Sequence, residues 1–306
     1  MERKNQEHRK VPVEAEFSQI GKRVTFGKNV RIRSKNVFIG DDCTIADNTD
    51  VFAPDGFTLG KCSYLGEQTR IKCWRFNAGD YLFFEREVEV GQGGCLSGPN
   101  STVDIGGGVF CGVRVIINPS NKVIIGSGTG IGAHVGIWTH GAWNPIIEGY
   151  PAGFAPVTIG SKVWLTGRSQ VLPGVNIGNH AVVGMMSLVN RDVPEGAFAG
   201  GIPIKILKEN AYPKKLSNLK RQEALNRTVR DYIQQAKWKG LRPAIAVLED
   251  SVVIDGTGFD FKDMKTCGKM DDVAEDFRDF LRRHGIRFLT GKPFKSIPHP
   301  EVAKWS

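Results

Sequence analysis

An aliphatic residue recurs at every sixth position through much of this 306-residue chain, and glycine often follows it. The longest unbroken series consists of Ile159, Leu165, Val171, Ile177, Val183 and Val189. A period of six is neither the 3.6 residues of an α-helix nor the alternation of a simple strand. It predicts a coil of three short strands per turn, in which each strand points one aliphatic side chain inwards and successive turns stack about 4.8 Å apart. Glycine is abundant, with 37 residues, which favours repeated tight turns over helix.

Shorter series extend the period towards the N-terminus, with slips of register between them. Their members are Ile20, Phe26, Ile32, Ile39, Ile45, Leu59, Leu65, Ile71, Val90, Ile105, Cys111, Ile117, Ile125, Ile131 and Ile137. The pattern blurs over residues 72–89, where we expect an irregular segment. We expect the glycine after each inward residue to occupy a corner whose dihedrals need its freedom. The string GSGTGIG at residues 126–132 keeps this register and lacks one glycine of the dinucleotide-binding pattern, so we interpret it as corners.

Two segments fall outside the repeat. Residues 138–156 interrupt the coil, and a loop extruded from a regular solenoid is a natural place for function. After residue 207 the period stops and helix and strand patterns follow. The sequence therefore predicts an all-β solenoid, a parallel β-helix, with a C-terminal helix and a small α+β tail. The predicted divisions are an N-terminal segment 1–16, the β-helix 17–207, a helix 208–240 and an α+β appendage 241–306.

Charge and cysteine content exclude several classes of function. The net charge is +9, but the basic residues are scattered and do not interleave with aromatic residues as in a nucleic-acid surface. None of the six cysteines forms a CxxC pair or a zinc pattern, which favours a reduced, cytoplasmic protein without a metal. We expect no signal peptide at the charged N-terminus and no membrane-spanning segment.

A composite motif occupies residues 156–205. Its parts are Val163–Trp164, Leu172–Val175, Ile177–Asn179, Arg191–Pro194 and Gly200–Lys205. This run resembles the hexapeptide-repeat acyltransferases, most closely the sugar O-acetyltransferases and the chloramphenicol-type xenobiotic acetyltransferases. The repeat part of the resemblance covers about residues 17–207. It implies a left-handed coil, although right-handed crossovers are the general rule. It also implies a homotrimer with acetyl-CoA as co-substrate in the groove between two solenoids.

The resemblance implies that His140, in the extruded loop, is the general base. Imidazole titrates near ~6.5, so it is suited to take a proton from an acceptor hydroxyl at neutral pH. The thioester already carries a good leaving group, and no acyl-enzyme is expected. Glu148 in the same loop is a candidate for orienting the imidazole, and the alternative is a solvated loop charge.

The remaining site residues are carried over by position in the motif. The expected contacts with acetyl-CoA are Gly167 and Met185 at the pantetheine arm, and Asn190, Arg191, Lys205 and Lys208 near the adenosine and its phosphates. Small residues are usual at the position of Met185, so this residue departs from the family pattern. Asn118 matches an asparagine that contacts the acceptor sugar; the alternative is a stacking corner asparagine.

The function expected on this basis is acetyl transfer from acetyl-CoA to a hydroxyl of a sugar or sugar-containing acceptor, as in polysaccharide biosynthesis. One alternative keeps the chemistry but acetylates an amine of an amino sugar or an antibiotic. Another is a non-catalytic solenoid that serves as a binding scaffold. The expected acceptor is a small molecule or a glycan, in a pocket shaped by residues 72–101, the 138–156 loop and a neighbouring subunit.

Overall fold

The computed structural model describes residues 12–91 and 98–305. The chain divides into two compact units, Met1–Pro213 and Lys214–Ser306. Most of the predicted N-terminal segment, residues 1–11, lies outside the described residues, as does Cys95 with residues 92–97.

Short strands make up the first unit. In chain order they are β1 (Val13–Glu14), β2 (Phe17–Ile20), β3 (Thr25–Phe26), β4 (Arg31–Ser34), β5 (Asn36–Ile39), β6 (Thr44–Ile45), β7 (Asp50–Ala53), β8 (Gly56–Leu59), β9 (Tyr64–Leu65), β10 (Arg70–Lys72), β11 (Arg75–Ala78), β12 (Phe83–Phe84), β13 (Glu89–Val90), β14 (Thr102–Ile105), β15 (Phe110–Cys111), β16 (Ile116–Asn118), β17 (Val123–Ile125), β18 (Gly130–Ile131), β19 (Gly136–Trp138), β20 (His140–Gly141), β21 (Gly153–Phe154), β22 (Val157–Ile159), β23 (Trp164–Leu165), β24 (Gln170–Val171), β25 (Asn176–Ile177), β26 (Val182–Val183), β27 (Leu188–Val189), β28 (Phe198–Gly200) and β29 (Lys205–Lys208).

These strands form three long sheets, and each turn of the coil contributes one strand to each sheet. Sheet A joins β1, β4, β7, β10, β13, β16, β19, β24 and β27; sheet B joins β2, β5, β8, β11, β14, β17, β22 and β25; sheet C joins β3, β6, β9, β12, β15, β18, β23, β26, β28 and β29. Pairing is parallel throughout, except that β29 folds back antiparallel on β28. The predicted parallel β-helix is confirmed.

Most residues that the six-residue period selected lie in the core of the coil. From Ile32 to Val189, every member of the series is buried. Ile20 and Phe26 are only partly buried, because no other turn among the described residues stacks on the outer side of the first one. The GSGTGIG string lies in the coil: Gly130 begins β18, and no helix follows.

The expected irregular segment at residues 72–89 is instead regular coil, so this prediction is wrong. Ala78, Phe84 and Val90 continue the inward positions at six-residue spacing, and all three are buried. The pattern was obscured because alanine and phenylalanine occupy two positions that are aliphatic elsewhere. Residues 92–97, between β13 and β14, lie outside the described part of the chain, and β14 continues the coil after them.

The role predicted for the corner glycines is also corrected. A Cβ at Gly60 would lie 2.3 Å from the backbone nitrogen of Asp80, and one at Gly40 would lie 2.5 Å from that of Lys61. Neither glycine has a positive φ, so close approach of the next turn explains them. The left-handed backbone conformation occurs instead two residues after such a glycine, or at the equivalent position of the corner between sheets C and A. Non-glycine residues adopt it there: Arg23, Asn29, Asp42, Asn48, Cys62, Gln68, Tyr81, Glu87, Arg114, His134, Lys162, Arg168, His180 and Met186.

The second unit is a small α+β fold with its own core. Its elements are α1 (Asn218–Trp238), β30 (Ile245–Val247), β31 (Ser251–Ile254), β32 (Thr257–Asp260), β33 (Lys265–Cys267), α2 (Asp272–Arg283) and α3 (Pro300–Ala303). The four strands form an antiparallel meander, and Tyr232 of α1 packs on Phe277 of α2 with ring centroids 4.8 Å apart. The fully buried Arg278 bonds Glu275 and the carbonyl of Phe288, which ties the segment after α2 to that helix. The predicted elements, a C-terminal helix and an α+β tail, are confirmed. The helix spans Asn218–Trp238 rather than 208–240, and it belongs to the same compact unit as the strands that follow it.

Candidate functional site

The extruded loop leaves sheet A after β19 and returns to the coil at β22. At its base, β20 and β21 form a two-stranded antiparallel ladder that pairs His140 with Phe154. The two rings stack with centroids 5.9 Å apart and an interplanar angle of 26°. The outer part of the loop exposes large apolar side chains, Trp143 at 96% and Ile147 at 93%. The loop therefore holds His140 at its root and presents apolar surface at its tip.

The imidazole of His140 is held by the preceding turn of the coil. Nδ1 lies 2.8 Å from Oδ1 of Asn118 and 3.0 Å from Oγ of Ser120. The hydroxyl of Ser120 also donates to Oδ1 of Asn118, at 3.4 Å. An amide oxygen only accepts hydrogen bonds, so with Oδ1 in this position the neutral imidazole carries its hydrogen on Nδ1. The lone pair on Nε2 is therefore the basic one.

The backbone beside His140 is fixed by the buried Thr139. Its hydroxyl donates to the carbonyl of Asn118, at 2.7 Å, and accepts from the backbone nitrogen of Asn121, at 2.8 Å. Its own carbonyl accepts from the backbone nitrogen of Ala155, at 3.0 Å. Both strands at the base of the loop are therefore tied to the coil, which limits the positions available to the imidazole.

Glu148 does not orient His140 in this structure. It is exposed at the end of the short 3₁₀ turn Ile146–Glu148, and among the described residues no hydrogen bond joins its carboxylate to the imidazole. Asn118 and Ser120 make that contact instead. Asn118 itself is fully buried, with its amide oxygen directed at His140, so its expected contact with an acceptor stays a prediction.

The residues expected to meet the pantetheine arm lie together at one corner, between sheets C and A. A Cβ at Gly167 would lie 3.3 Å from the carbonyl oxygen of Ala133 and 3.8 Å from Cε of Met185. Met185 and Met186 are exposed by 68% and 56%, which gives this corner an apolar surface. Met185 therefore places an exposed thioether where the resemblance led us to expect a small residue.

The residues expected near the adenosine and phosphates follow on the last turns of the coil. All are exposed, and within residues 12–91 and 98–305 no ion pair engages the three cations among them. They are Asn190, Arg191, Lys205 and Lys208. Unpaired cations on an exposed strand are available to an anionic ligand.

Three residues near His140 escaped the sequence reasoning. Ser120 follows Asn118 by two positions at the end of β16, and Trp138 precedes His140 by two positions at the end of β19. The indole Nε1 of Trp138 donates to Oε1 of Gln170, at 2.8 Å. Gln170 begins β24, three residues after Gly167. The bond therefore links the strand that leads to His140 with the strand that follows the corner of Gly167. One sequence feature could have indicated Trp138, because it is the first residue of the segment 138–156 that interrupts the repeat.

No cluster of three or more potential metal ligands occurs in the part of the chain that the structure describes. Among those same residues, no helix combines the length and the apolar character needed to cross a bilayer.

Comparison with known proteins defines the family. No family model matches the chain. Nodulation protein L of Rhizobium meliloti is 41% identical over 136 residues, which cover 41% of this chain and 73% of the relative. Galactoside O-acetyltransferase of Escherichia coli is 27% identical over 135 residues, which cover 42% of this chain and 66% of the relative. The chain belongs to the hexapeptide-repeat acetyltransferase family. The resemblance read from the 156–205 motif is thereby confirmed, and the coil is the left-handed parallel β-helix of this family.

Other relatives of this hexapeptide-repeat protein are matched over part of their length. The chain spans 57% of a Saccharomyces cerevisiae relative at 38% identity and 47% of a Bacillus subtilis relative at 41% identity. Among solved structures, a galactoside acetyltransferase in complex with coenzyme A gives a TM-score of 0.31 at 21% identity, covering 47% of this chain and 66% of that one. A crystal structure of the polysialic-acid-specific acetyltransferase NeuO gives a TM-score of 0.39 at 19% identity, covering 73% and 97%.

Proposed function

We propose that this protein transfers an acetyl group from acetyl-CoA to a hydroxyl of a sugar-containing acceptor, with His140 as the general base. The observation that carries the proposal is the hydrogen bond from Nδ1 of His140 to Oδ1 of the buried Asn118. This bond fixes the tautomer whose Nε2 accepts a proton.

The chemistry follows from this arrangement. Nε2 of His140 takes the proton of the acceptor hydroxyl as its oxygen attacks the thioester carbonyl. The carbon–sulfur bond then breaks, and the proton passes from the imidazolium to the departing coenzyme A sulfur. The products are an acetyl ester and free coenzyme A, without an acyl-enzyme. Asn118 supports the step, because its amide oxygen accepts from Nδ1–H more strongly once the ring is charged.

The corner of Gly167 and Met185 is our candidate for contact with the pantetheine arm. A glycine and a flexible thioether leave a smooth apolar surface against which a thin chain can lie. The exposed cations of the last turns would face the phosphates. In support, those cations have no partner within the described residues.

A second copy of the chain is proposed to complete this site, as a homotrimer. The inward positions of the coil are buried within one chain, whereas Met185 and Trp164 remain exposed, the latter by 58%. We further propose that the second unit carries none of the acyl-transfer chemistry. It has its own hydrophobic core, and every candidate site residue belongs to the first unit.

The proposal is tested with the full-length chain, acetyl-CoA and a panel of sugars and amino sugars. Free thiol is measured, and each acetylated product is then treated with alkaline hydroxylamine, which cleaves acetyl esters but not acetamides. We expect acceptor-dependent thiol release and a hydroxylamine-labile product. A resistant product would identify amine acetylation instead. Binding of acetyl-CoA without release for any acceptor would support the scaffold alternative.

A further inference from the structure

The indole of Trp138 lies beside Gly136 on the outer face of sheet A, where a Cβ on this glycine would meet the ring. Its Nε1 donates to Oε1 of Gln170, and Nε2 of Gln170 donates to the carbonyl of His134, at 3.4 Å. Gly136 makes room for the ring, because a Cβ there would lie 2.5 Å from the indole nitrogen and 2.2 Å from Oε1 of Gln170. Trp138 is partly exposed. We call Trp138, Gln170 and Gly136 the indole platform.

The indole platform adjoins the residues that hold the candidate base. Trp138 is the register partner of Asn118 on the neighbouring strand of sheet A, and parallel neighbours lie about 4.8 Å apart. Since alternate residues of a strand share a face, Trp138 and Asn118 both project from the outer face, beside inward Ile137 and Ile117. An acceptor presented to His140 therefore has an aromatic surface next to it.

A polar concavity of about 280 Å³ lies on the same outer face, towards the N-terminal turns. Its lining consists of Gln68, Arg70, Glu87, Glu89, Arg114 and Ile116. The register Glu89, Ile116, Gly136 runs straight from the concavity to the platform. Those two steps between strands span about 10 Å, which is roughly the length of two linked sugar rings.

The charges of the concavity are balanced in pairs. Arg114 meets Glu87 at 2.5 Å, and Arg70 meets Glu89 at 3.6 Å. Paired charges of both signs offer donors and acceptors together, which suits hydroxyl groups because each hydroxyl both donates and accepts. A polyanion would find no surplus of positive charge here, because two arginines are balanced by two glutamates. The lining therefore favours a neutral polyol over an anionic glycan.

We propose that the acceptor is a neutral glycan of at least two sugar units, which stacks one ring on Trp138 and places the next in the concavity of Arg114 and Glu87. This inference rests on the proposed function, because the proposed acetyl transfer is what makes the bound glycan an acceptor. The apolar face of a pyranose ring packs on an aromatic face, and the clamped indole loses little conformational freedom when it does so. The platform and concavity thus set acceptor specificity, while His140 sets the chemistry.

The test measures binding of the full-length chain to an array of neutral and anionic glycans of one to six sugars, without acetyl-CoA. We expect binding to neutral glycans of two or more units, weakened about tenfold by Trp138→Leu and retained by Trp138→Phe. Arg114→Ala should weaken it as well. Arg23→Ala is the matched control, because Arg23 sits at a left-handed corner with a 2.5 Å ion pair to Asp42 on another part of the coil.

Preference for anionic glycans, absence of binding to any glycan, or unchanged binding by Trp138→Leu would overturn the inference. Circular dichroism of each variant verifies its fold, and Trp138→Phe keeps the test valid if Trp138→Leu does not fold. Acetyl transfer to a small acceptor without glycan binding would refute this inference alone. Glycan binding by a chain that transfers no acetyl group would refute the proposed function alone.

Discussion

Replacement of Asn118 by alanine removes the amide oxygen that fixes the tautomer of His140. The variant leaves Nδ1 with the hydroxyl of Ser120, at 3.0 Å, as its remaining partner. This hydroxyl both donates and accepts, so it no longer selects one tautomer. We therefore expect Asn118→Ala to lower kcat while leaving the affinity for acetyl-CoA unchanged, since Asn118 is fully buried against His140 and is not among the residues proposed to contact the coenzyme.

The size of the effect follows from the change of charge on the imidazole. A hydrogen bond between neutral groups contributes about 0.5–1.5 kcal/mol, and one to a charged group about 1.5–3 kcal/mol. The bond from Nδ1 to Asn118 changes from the first kind to the second as Nε2 gains the proton. The transition state therefore loses about 1–1.5 kcal/mol more than the ground state, which lowers kcat by roughly fivefold to thirteenfold.

A double-mutant cycle checks this reasoning. Steady-state kcat is measured for the native chain, Asn118→Ala, His140→Ala and the double variant. We expect Asn118→Ala to have no further effect once His140 is absent. Thr49→Val serves as a control for loss of a buried hydrogen bond, because Oγ1 of Thr49 donates to the carbonyl of Ala46 in a remote turn. An undiminished kcat in Asn118→Ala, or an equal loss in the His140→Ala background, would refute the assignment.

Three further predictions concern the coil, the coenzyme and the thiols. Gly60→Ala should lower the free energy of unfolding by about 1–3 kcal/mol because its Cβ meets the next turn, as measured by urea unfolding. Gly98→Ala, whose Cβ meets nothing within 4 Å among the residues that the structure describes, should change it by less than about 0.5 kcal/mol; equal losses would contradict the steric explanation. Lys208→Ala should weaken acetyl-CoA binding about twofold to fivefold in calorimetry, and unchanged affinity would remove Lys208 from the site. Burial raises the pKa of Cys43 to about 11, so at pH 8 its thiol stays protonated and iodoacetamide should label exposed Cys267 first. Peptide mass mapping that finds Cys43 labelled as fast as Cys267 would contradict this.

The core of the coil was predictable because one residue type recurs at one spacing. Any turn that places Ile159 inwards must place Leu165 and Val171 inwards too, and all three are buried. The period failed where the residue type changed. Phe84 fills the same inward position as aliphatic residues in neighbouring turns, and Phe76 packs edge-on against it with ring centroids 6.2 Å apart. A search for apolar residues of any size, rather than for isoleucine, leucine and valine, would have recovered these turns.

The role of the corner glycines could not be derived from sequence, since it depends on the distance between turns. Gly60 is needed because the backbone of Asp80 lies where a side chain would begin. The left-handed positions carry residues as large as Tyr81, whose strain is met by the ladder of backbone bonds between turns. Local propensity alone would assign the glycines to the left-handed positions.

The partners of His140 were hidden for a related reason. Asn118 and His140 lie 22 residues apart, and the slips of register between turns prevent a sequence pattern from showing that they meet. The motif located His140 but indicated nothing about Ser120, whose contact depends on the corner at the end of β16. Glu148 was selected because it shares a loop with His140, and proximity in sequence within a long loop does not determine contact.

The most direct test of the central claim compares native protein with His140→Ala in two measurements on the same samples. Calorimetry gives the affinity for acetyl-CoA, and acceptor-dependent release of free thiol gives the rate of acetyl transfer. We predict unchanged affinity and a rate reduced at least about a hundredfold, because loss of a general base typically costs about 10²–10⁴ in rate. A variant that folds, binds acetyl-CoA and turns over within a few-fold of native would contradict the account, since the base would then lie elsewhere.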